Sequence, residues 1–128
     1  YQQLQVVTRM AKDLDVPIEV VGVPTVRAED GLALSSRNRY LSKAERHQAT
    51  AIYKSIAQAA DKINSGTAPQ KATRAAARSL TTLGFKVDYV TARHAETLAV
   101  PEQWTDEPLR ILAAAWLGKT RLLDNIAV

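Results

Sequence analysis

The sequence predicts an α+β fold: a helical hairpin packed on a small antiparallel sheet, preceded by a separate helix and strand. Three observations carry this. Apolar residues recur at helical spacing between Ser42 and Leu83, the period changes to two beyond Gly84, and Gly118-Lys119 lies between two apolar runs as a two-residue turn. At 128 residues the chain is one domain's worth, long enough to bury a core without disulfide staples.

The elements follow in order. Leu4, Val7, Ala11 and Leu14 share one helical face, and Pro17 biases Val16 away from helix, so the first helix stops near Asp13-Leu14-Asp15. Ile18 to Val23 is nearly continuous apolar and β-branched sequence, which reads as a buried strand of a parallel sheet. One helix and one strand cannot close such a sheet, so this stretch is expected to be the last piece of a larger domain. From Pro24 to Tyr40 the periodicity disappears and polar residues crowd together, the composition of a functional or irregular loop.

Ser42-Lys43-Ala44-Glu45 has the capping-box form and opens a helix with Ile52, Ile56, Ala59 and Ile63 on one face, ended by Asn64-Ser65-Gly66. Thr67 is placed to cap the next helix, with Pro69 in its first turn and Ala72, Ala76, Leu80 and Leu83 as its apolar stripe up to Gly84. The two helices should pack as a hairpin. Phe85, Val87 and Tyr89 fall on one face of a strand. After a loop from Pro101 to Pro108, the runs Leu109 to Leu117 and Thr120 to Val128 form a strand hairpin around Gly118-Lys119.

Composition narrows the function classes. No cysteine is present, which removes thiol catalysis and cysteine-ligated metal sites. His47, read as lying in a helix's first turn, and His94, just past a strand, have no second histidine or close carboxylate set, so neither is a metal or catalytic candidate. No apolar run is long enough to span a bilayer and the start lacks a signal-peptide layout, so the expectation is a soluble, cytoplasmic protein. Seventeen basic against thirteen acidic residues give a net charge of +4, which favours an anionic partner. Aromatics are only 5% of the chain and scattered, so no stacking platform for nucleic acid is visible.

The candidate chemistry lies in the polar loop. Ser35, Ser36 and Arg37 set two hydroxyls beside a guanidinium, a donor set suited to phosphate oxygens, since arginine bonds two oxygens at once. By residue type alone the same string also describes a solvated loop with a helix-capping serine. Arg39 is a secondary candidate, either adding to the phosphate field or covering the next helix with its stem. The alternative function is a basic phosphate- or nucleic-acid-binding interaction module without catalysis.

Three segments narrow the choice. Gln2-Gln3-Leu4 lies near the start, Val20-Val21-Gly22-Val23-Pro24-Thr25-Val26-Arg27 follows, and Asp30-Gly31-Leu32-Ala33-Leu34-Ser35-Ser36-Arg37-Asn38-Arg39-Tyr40-Leu41 comes next. In this order and spacing they closely resemble the pantothenate synthetase (pantoate:β-alanine ligase) family. Thr120-Arg121-Leu122-Leu123-Asp124-Asn125-Ile126 is similar to that family's last strand.

The resemblance implies a C-terminal portion of a two-domain ligase of the nucleotidylyltransferase superfamily. Residues 1–25 would be a remnant of the N-terminal Rossmann-like nucleotide-binding domain, and residues 26–128 a C-terminal α+β lid domain. The family uses ATP and Mg²⁺ to make pantoyl adenylate with release of pyrophosphate; the amine of β-alanine then attacks to give pantothenate and AMP. Ser35, Ser36 and Arg37 would hold the ATP phosphates, as the counterpart of the KMSKS loop of class I aminoacyl-tRNA synthetases. Val26 would offer backbone groups to adenine, and Gln3 would bond pantoate, with Gln2 beside it a weaker candidate. The implied partners are ATP, pantoate, β-alanine, the N-terminal domain and, in full-length form, a second copy; nucleic acid and membrane are not implied. The chain departs from the family pattern in lacking the His-containing nucleotide motif, and the family's Lys-Asp pair would fall before Tyr1. Mg²⁺ would therefore be bound mainly by the missing N-terminal domain, and this fragment alone is expected to be inactive. A smaller departure is Leu34 in place of the common Met, a near volume-conserving change.

Overall fold

The computed structural model describes residues 1–101, 105 and 107–128. Helix α1 spans Gln2–Asp13 and ends before Pro17 as the sequence predicts, with the Leu14 N–H on the Met10 carbonyl at 3.0 Å. The segment Ile18–Val23 forms no strand and is largely exposed, which corrects the expected buried strand. A strand needs a neighbouring strand to take its N–H and C=O groups, and among the described residues no strand pairs with this segment.

The loop is more ordered than its composition indicates. Arg27 and Ala33 form an isolated antiparallel bridge, and Ser36–Tyr40 is a 3₁₀ turn capped by Ser35, whose Oγ accepts the Arg37 N–H at 3.2 Å. Gly31 closes the bridge with φ +89°, and a Cβ there would collide with the Tyr53 ring. The capping box is formed as expected: Ser42 Oγ accepts the Glu45 N–H at 3.2 Å, and Glu45 Oε2 accepts the Ser42 N–H at 2.8 Å. The expected single helix is two, α2 (Lys43–Ala49) and α3 (Ala51–Asn64). They meet at Thr50, whose hydroxyl donates to the His47 carbonyl at 2.9 Å and competes with regular helix bonding.

Helix α4 spans Pro69–Thr82 and packs on α3. Its N-cap is Ala68 rather than Thr67, with no side-chain cap bond; Pro69 at the first position already removes one N–H that would need an acceptor. Ala72, Ala76 and Leu80 form the buried stripe, but Leu83 sits at the helix end and is 46% exposed, outside the stripe.

Strands β1 (Lys86–His94), β2 (Leu109–Leu117) and β3 (Thr120–Ala127) make an antiparallel sheet in the order β1-β2-β3. Gly118 has φ +55° and Lys119 an ordinary negative φ, the pattern of the Gly-X hairpin turn. The expected loop from Pro101 to Pro108 lies in part, at 102–104 and 106, outside the described residues. Ile111, Ala113, Ala115 and Leu117 of β2 face the helical hairpin, and the core they share with Ile52, Ile56, Ala72 and Leu80 is fully buried. Each fully buried Ile or Leu contributes roughly 1.5–3 kcal/mol.

One strand expectation is corrected. A bulge at Asp88 shifts the register so that Val87 pairs with Ala115 and Tyr89 with Ala114. Ala114 and Ala115 point to opposite faces, so Tyr89 leaves the face of Val87 and turns toward α1. On that second face the Tyr1 hydroxyl donates to the Ala95 carbonyl at 2.8 Å, and the Arg110 guanidinium stacks 4.1 Å from the Tyr1 ring.

Candidate functional site

β3 is an edge strand, and a groove of about 490 Å³ runs across that edge between the first turn of α1 and the polar loop. Gln2 and Gln3 line it from one side, Ser35, Arg37 and Asn38 from the other, with Tyr89 and Arg121 from the sheet. Residues separated by more than thirty positions thus meet at one surface. Ser35 is fixed as the cap of the 3₁₀ turn, and Arg37 stands in that turn's exposed face. Among the described residues the Arg37 guanidinium has no ion-pair partner, so its fork is free for an anion.

The other sequence candidates are placed less centrally. Ser36 opens the 3₁₀ turn, exposed, and does not line the groove. Val26 is exposed beside it; its carbonyl accepts the Leu34 N–H at 2.9 Å, which leaves its N–H outside the loop's own bonding. Gln2 Nε2 donates to Tyr89 Oη at 3.2 Å, whereas Gln3 is exposed with no side-chain hydrogen bond among the described residues. Arg39 turns away, its guanidinium on the Tyr40 hydroxyl at 2.7 Å and 4.9 Å from that ring.

Neither histidine lies at the groove. His47 is in the last turn of α2 rather than a first turn, and it is exposed. His94 ends β1, and its Nδ1 lies 2.8 Å from Glu107 Oε2, a single carboxylate. A loop brings that glutamate back, and sequence spacing gives no sign of it.

Several groove residues escaped the sequence reading. Tyr89 reaches the groove only through the bulge. Arg121 lies 2.6 Å from Asp88, whose hydrogen bond raises the guanidinium's already high pKa and fixes its charge. Asp124 lines the groove but is committed to Arg27, with Nη1 and Nη2 each 2.8 Å from its two oxygens. A signal for it existed: Leu122, Asp124 and Ile126 alternate on the core side of β3, and an in-phase carboxylate demands a cationic partner.

Because Asp124 is engaged, the groove offers no carboxylate set for a divalent cation, and among the described residues no group of three or more His, Asp or Glu side chains is placed to hold one. The residues present therefore do not fit Mg²⁺.

A helical hairpin on a three-stranded antiparallel sheet, with a serine-arginine loop opening on a polar groove at the sheet edge, defines the class: an α+β domain with a polar groove at its sheet edge. The chain belongs to the pantoate-beta-alanine ligase family, whose sequence profile matches residues 1–127. It is 52% identical over 128 residues to the pantothenate synthetase of Rhodopseudomonas palustris (strain BisB18), covering 100% of this chain and 45% of that protein. It is 53% identical over 131 residues to the pantothenate synthetase of Caulobacter vibrioides, covering 100% of this chain and 46% of that protein. The chain thus spans about half the length of the curated relatives it matches.

Among solved structures, the pantothenate synthetase of Thermus thermophilus superposes with a TM-score of 0.90 at 43% identity, over 98% of this chain and 46% of that one. The pantoate-beta-alanine ligase of Francisella tularensis, complexed with beta-gamma ATP and beta-alanine, gives 0.67 at 26% identity, over 98% of this chain and 40% of that one.

Proposed function

We propose that this chain is the C-terminal part of an ATP-dependent ligase that condenses pantoate with β-alanine through a pantoyl-adenylate intermediate. The observation that carries the reading is the shared groove, in which Gln3 faces Ser35 and the unpaired Arg37 across the edge of β3. The family membership and the ATP complex of the Francisella relative support ATP as the anionic ligand.

In this reading Arg37 and Ser35 hold the triphosphate, and Ser36 adds a hydroxyl when the loop closes. Val26 offers its free N–H to adenine, and the Gln3 amide bonds pantoate, with Gln2 held on Tyr89 beside it. The loop moves no proton. Its donors meet charge that grows on the departing pyrophosphate, so they stabilise the transition state more than the bound substrate. The remaining adenine contacts, the Mg²⁺ site and the amine's approach belong to a nucleotide-binding N-terminal domain of the same enzyme, of which residues 1–25 are the last part and which residues 26–128 cover as a lid. The full enzyme is placed in the cytoplasm as a homodimer.

The test is single-turnover formation of pantoyl adenylate by the full-length protein, with pantoate affinity measured in parallel. Arg37→Ala should slow the chemical step about a hundredfold or more, with little change in pantoate binding. An unchanged rate with a large loss of pantoate affinity would move Arg37 to the substrate pocket, and no change in either would remove the loop from the site.

A further inference from the structure

Arg27 and Asp124 are 97 positions apart, and their contact is among the most saturated in the molecule. Beyond the two bonds to Asp124, Arg27 Nη1 donates to the Gly31 carbonyl at 3.0 Å and Nη2 to the Asn125 carbonyl at 3.0 Å. The guanidinium carbon lies 4.0 Å from the centroid of the Tyr53 ring. Asp124 Oδ1 also accepts the Asn125 N–H at 2.7 Å. The side chains are 19% and 3% exposed, so water screens the pair little.

One side chain therefore ties three elements together: the bridged loop through Gly31, the edge of β3 through Asp124 and Asn125, and α3 through Tyr53. The loop leaves the clamp at Ala33 and, two residues later, supplies Ser35 and then Arg37. Resting on the ligase reading above, we infer that Arg27 and Asp124 are positioning residues that fix the register in which the serine-arginine loop enters the groove. A planar fork held on both prongs and stacked on one face has little freedom left to rotate. The same attachment covers the Asn125 carbonyl on the sheet edge, so the loop cannot slide along β3 without breaking the three hydrogen bonds that Arg27 makes to Asp124 and Asn125.

Removing one partner leaves a buried charge and can unfold the protein, so the informative variant replaces both: Arg27→Met with Asp124→Leu. Apolar residues of similar volume in place of a buried ion pair commonly preserve stability, while every directional bond of the clamp is lost. In the full-length protein this double variant should melt near the parent temperature. Hydrogen exchange at the Leu34 and Arg37 amides should rise at least tenfold, with α3 and β2 amides unchanged. Adenylate formation should slow at least tenfold at saturating pantoate, and adding Arg37→Ala should then cost much less than it does in the parent.

Unchanged exchange at Leu34 and Arg37 would overturn the inference whatever the activity. Faster exchange with an undiminished rate, where Arg37→Ala alone is slow, would overturn the positioning role and leave the ligase reading intact. If Arg37→Ala alone has no effect, the ligase reading fails, and with it the role assigned to the clamp.

Discussion

In the proposed ligase reading, Arg37 works through geometry as much as charge. Its fork is unpaired and exposed, so Arg37→Lys in the full-length enzyme should recover only part of the rate lost in Arg37→Ala, because an ammonium keeps the charge without the two-pronged fit. Ser35→Ala and Ser36→Ala should each cost less in the same single-turnover assay, since backbone donors and water replace a hydroxyl readily. Gly31 makes a sharper stability prediction. With φ +89° and the Tyr53 ring where a Cβ would stand, Gly31→Ala is strained twice over. It should lower unfolding stability by more than about 1 kcal/mol in a urea titration.

The elements show what sequence reveals and what it hides. Helices α1, α3 and α4, the capping box and the Gly118 turn were legible because each is set by neighbours within a few residues. Thr50 divides a helix that periodicity draws as one, since a local hydroxyl bond leaves the apolar spacing intact. The bulge at Asp88 was hidden for a similar reason: Phe85, Val87 and Tyr89 alternate perfectly, and only pairing with β2 shows the extra residue. The capping box carries its own pH signature. Glu45 lies below its ordinary value near 4.5 because the Ser42 backbone N–H bonds the ionised form. Its contribution is present above that value and is lost as pH falls through the lower, folded one. Thermal melts should therefore decline below about pH 4.5 by less in Glu45→Gln, which keeps an acceptor without the charge. Ser42→Ala should cost about 1 kcal/mol at neutral pH.

For the whole molecule, the loop's residues were legible as chemistry but the groove was not. Ser35 and Arg37 announce an anion by type, whereas their meeting with Gln3 across the edge of β3 depends on contacts that no spacing records. The Arg27–Asp124 pair is the extreme case: one half left a signal that the sequence reading passed over, an in-phase carboxylate on β3, and the other half lay in a loop without period. The exposed Ile18–Val23 segment failed as a predicted strand because apolar content specifies a wish for burial and not the partner that satisfies it. The chain alone should turn over ATP, pantoate and β-alanine negligibly, since aligning the reactants needs groups that the groove lacks. Pantothenate formation by the isolated chain at a rate near that of an intact enzyme would reverse that conclusion.

The extra residue in β1 also sets a rule of parity. A strand assigns its side chains to two sides by counting, and Asp88 makes the count odd between Val87 and the rest of β1. Deleting it would leave Val87 opposite Ala115 and Tyr89 opposite Ala114 in a regular ladder, so the Tyr89 hydroxyl would stay with Gln2 on the groove side, and the strand would lose only the carboxylate that Arg121 holds. Loss of the one bulged residue is therefore silent for the two faces of β1, whereas a single residue gained or lost elsewhere in the strand would turn every following side chain over and be felt at the groove and in the core together.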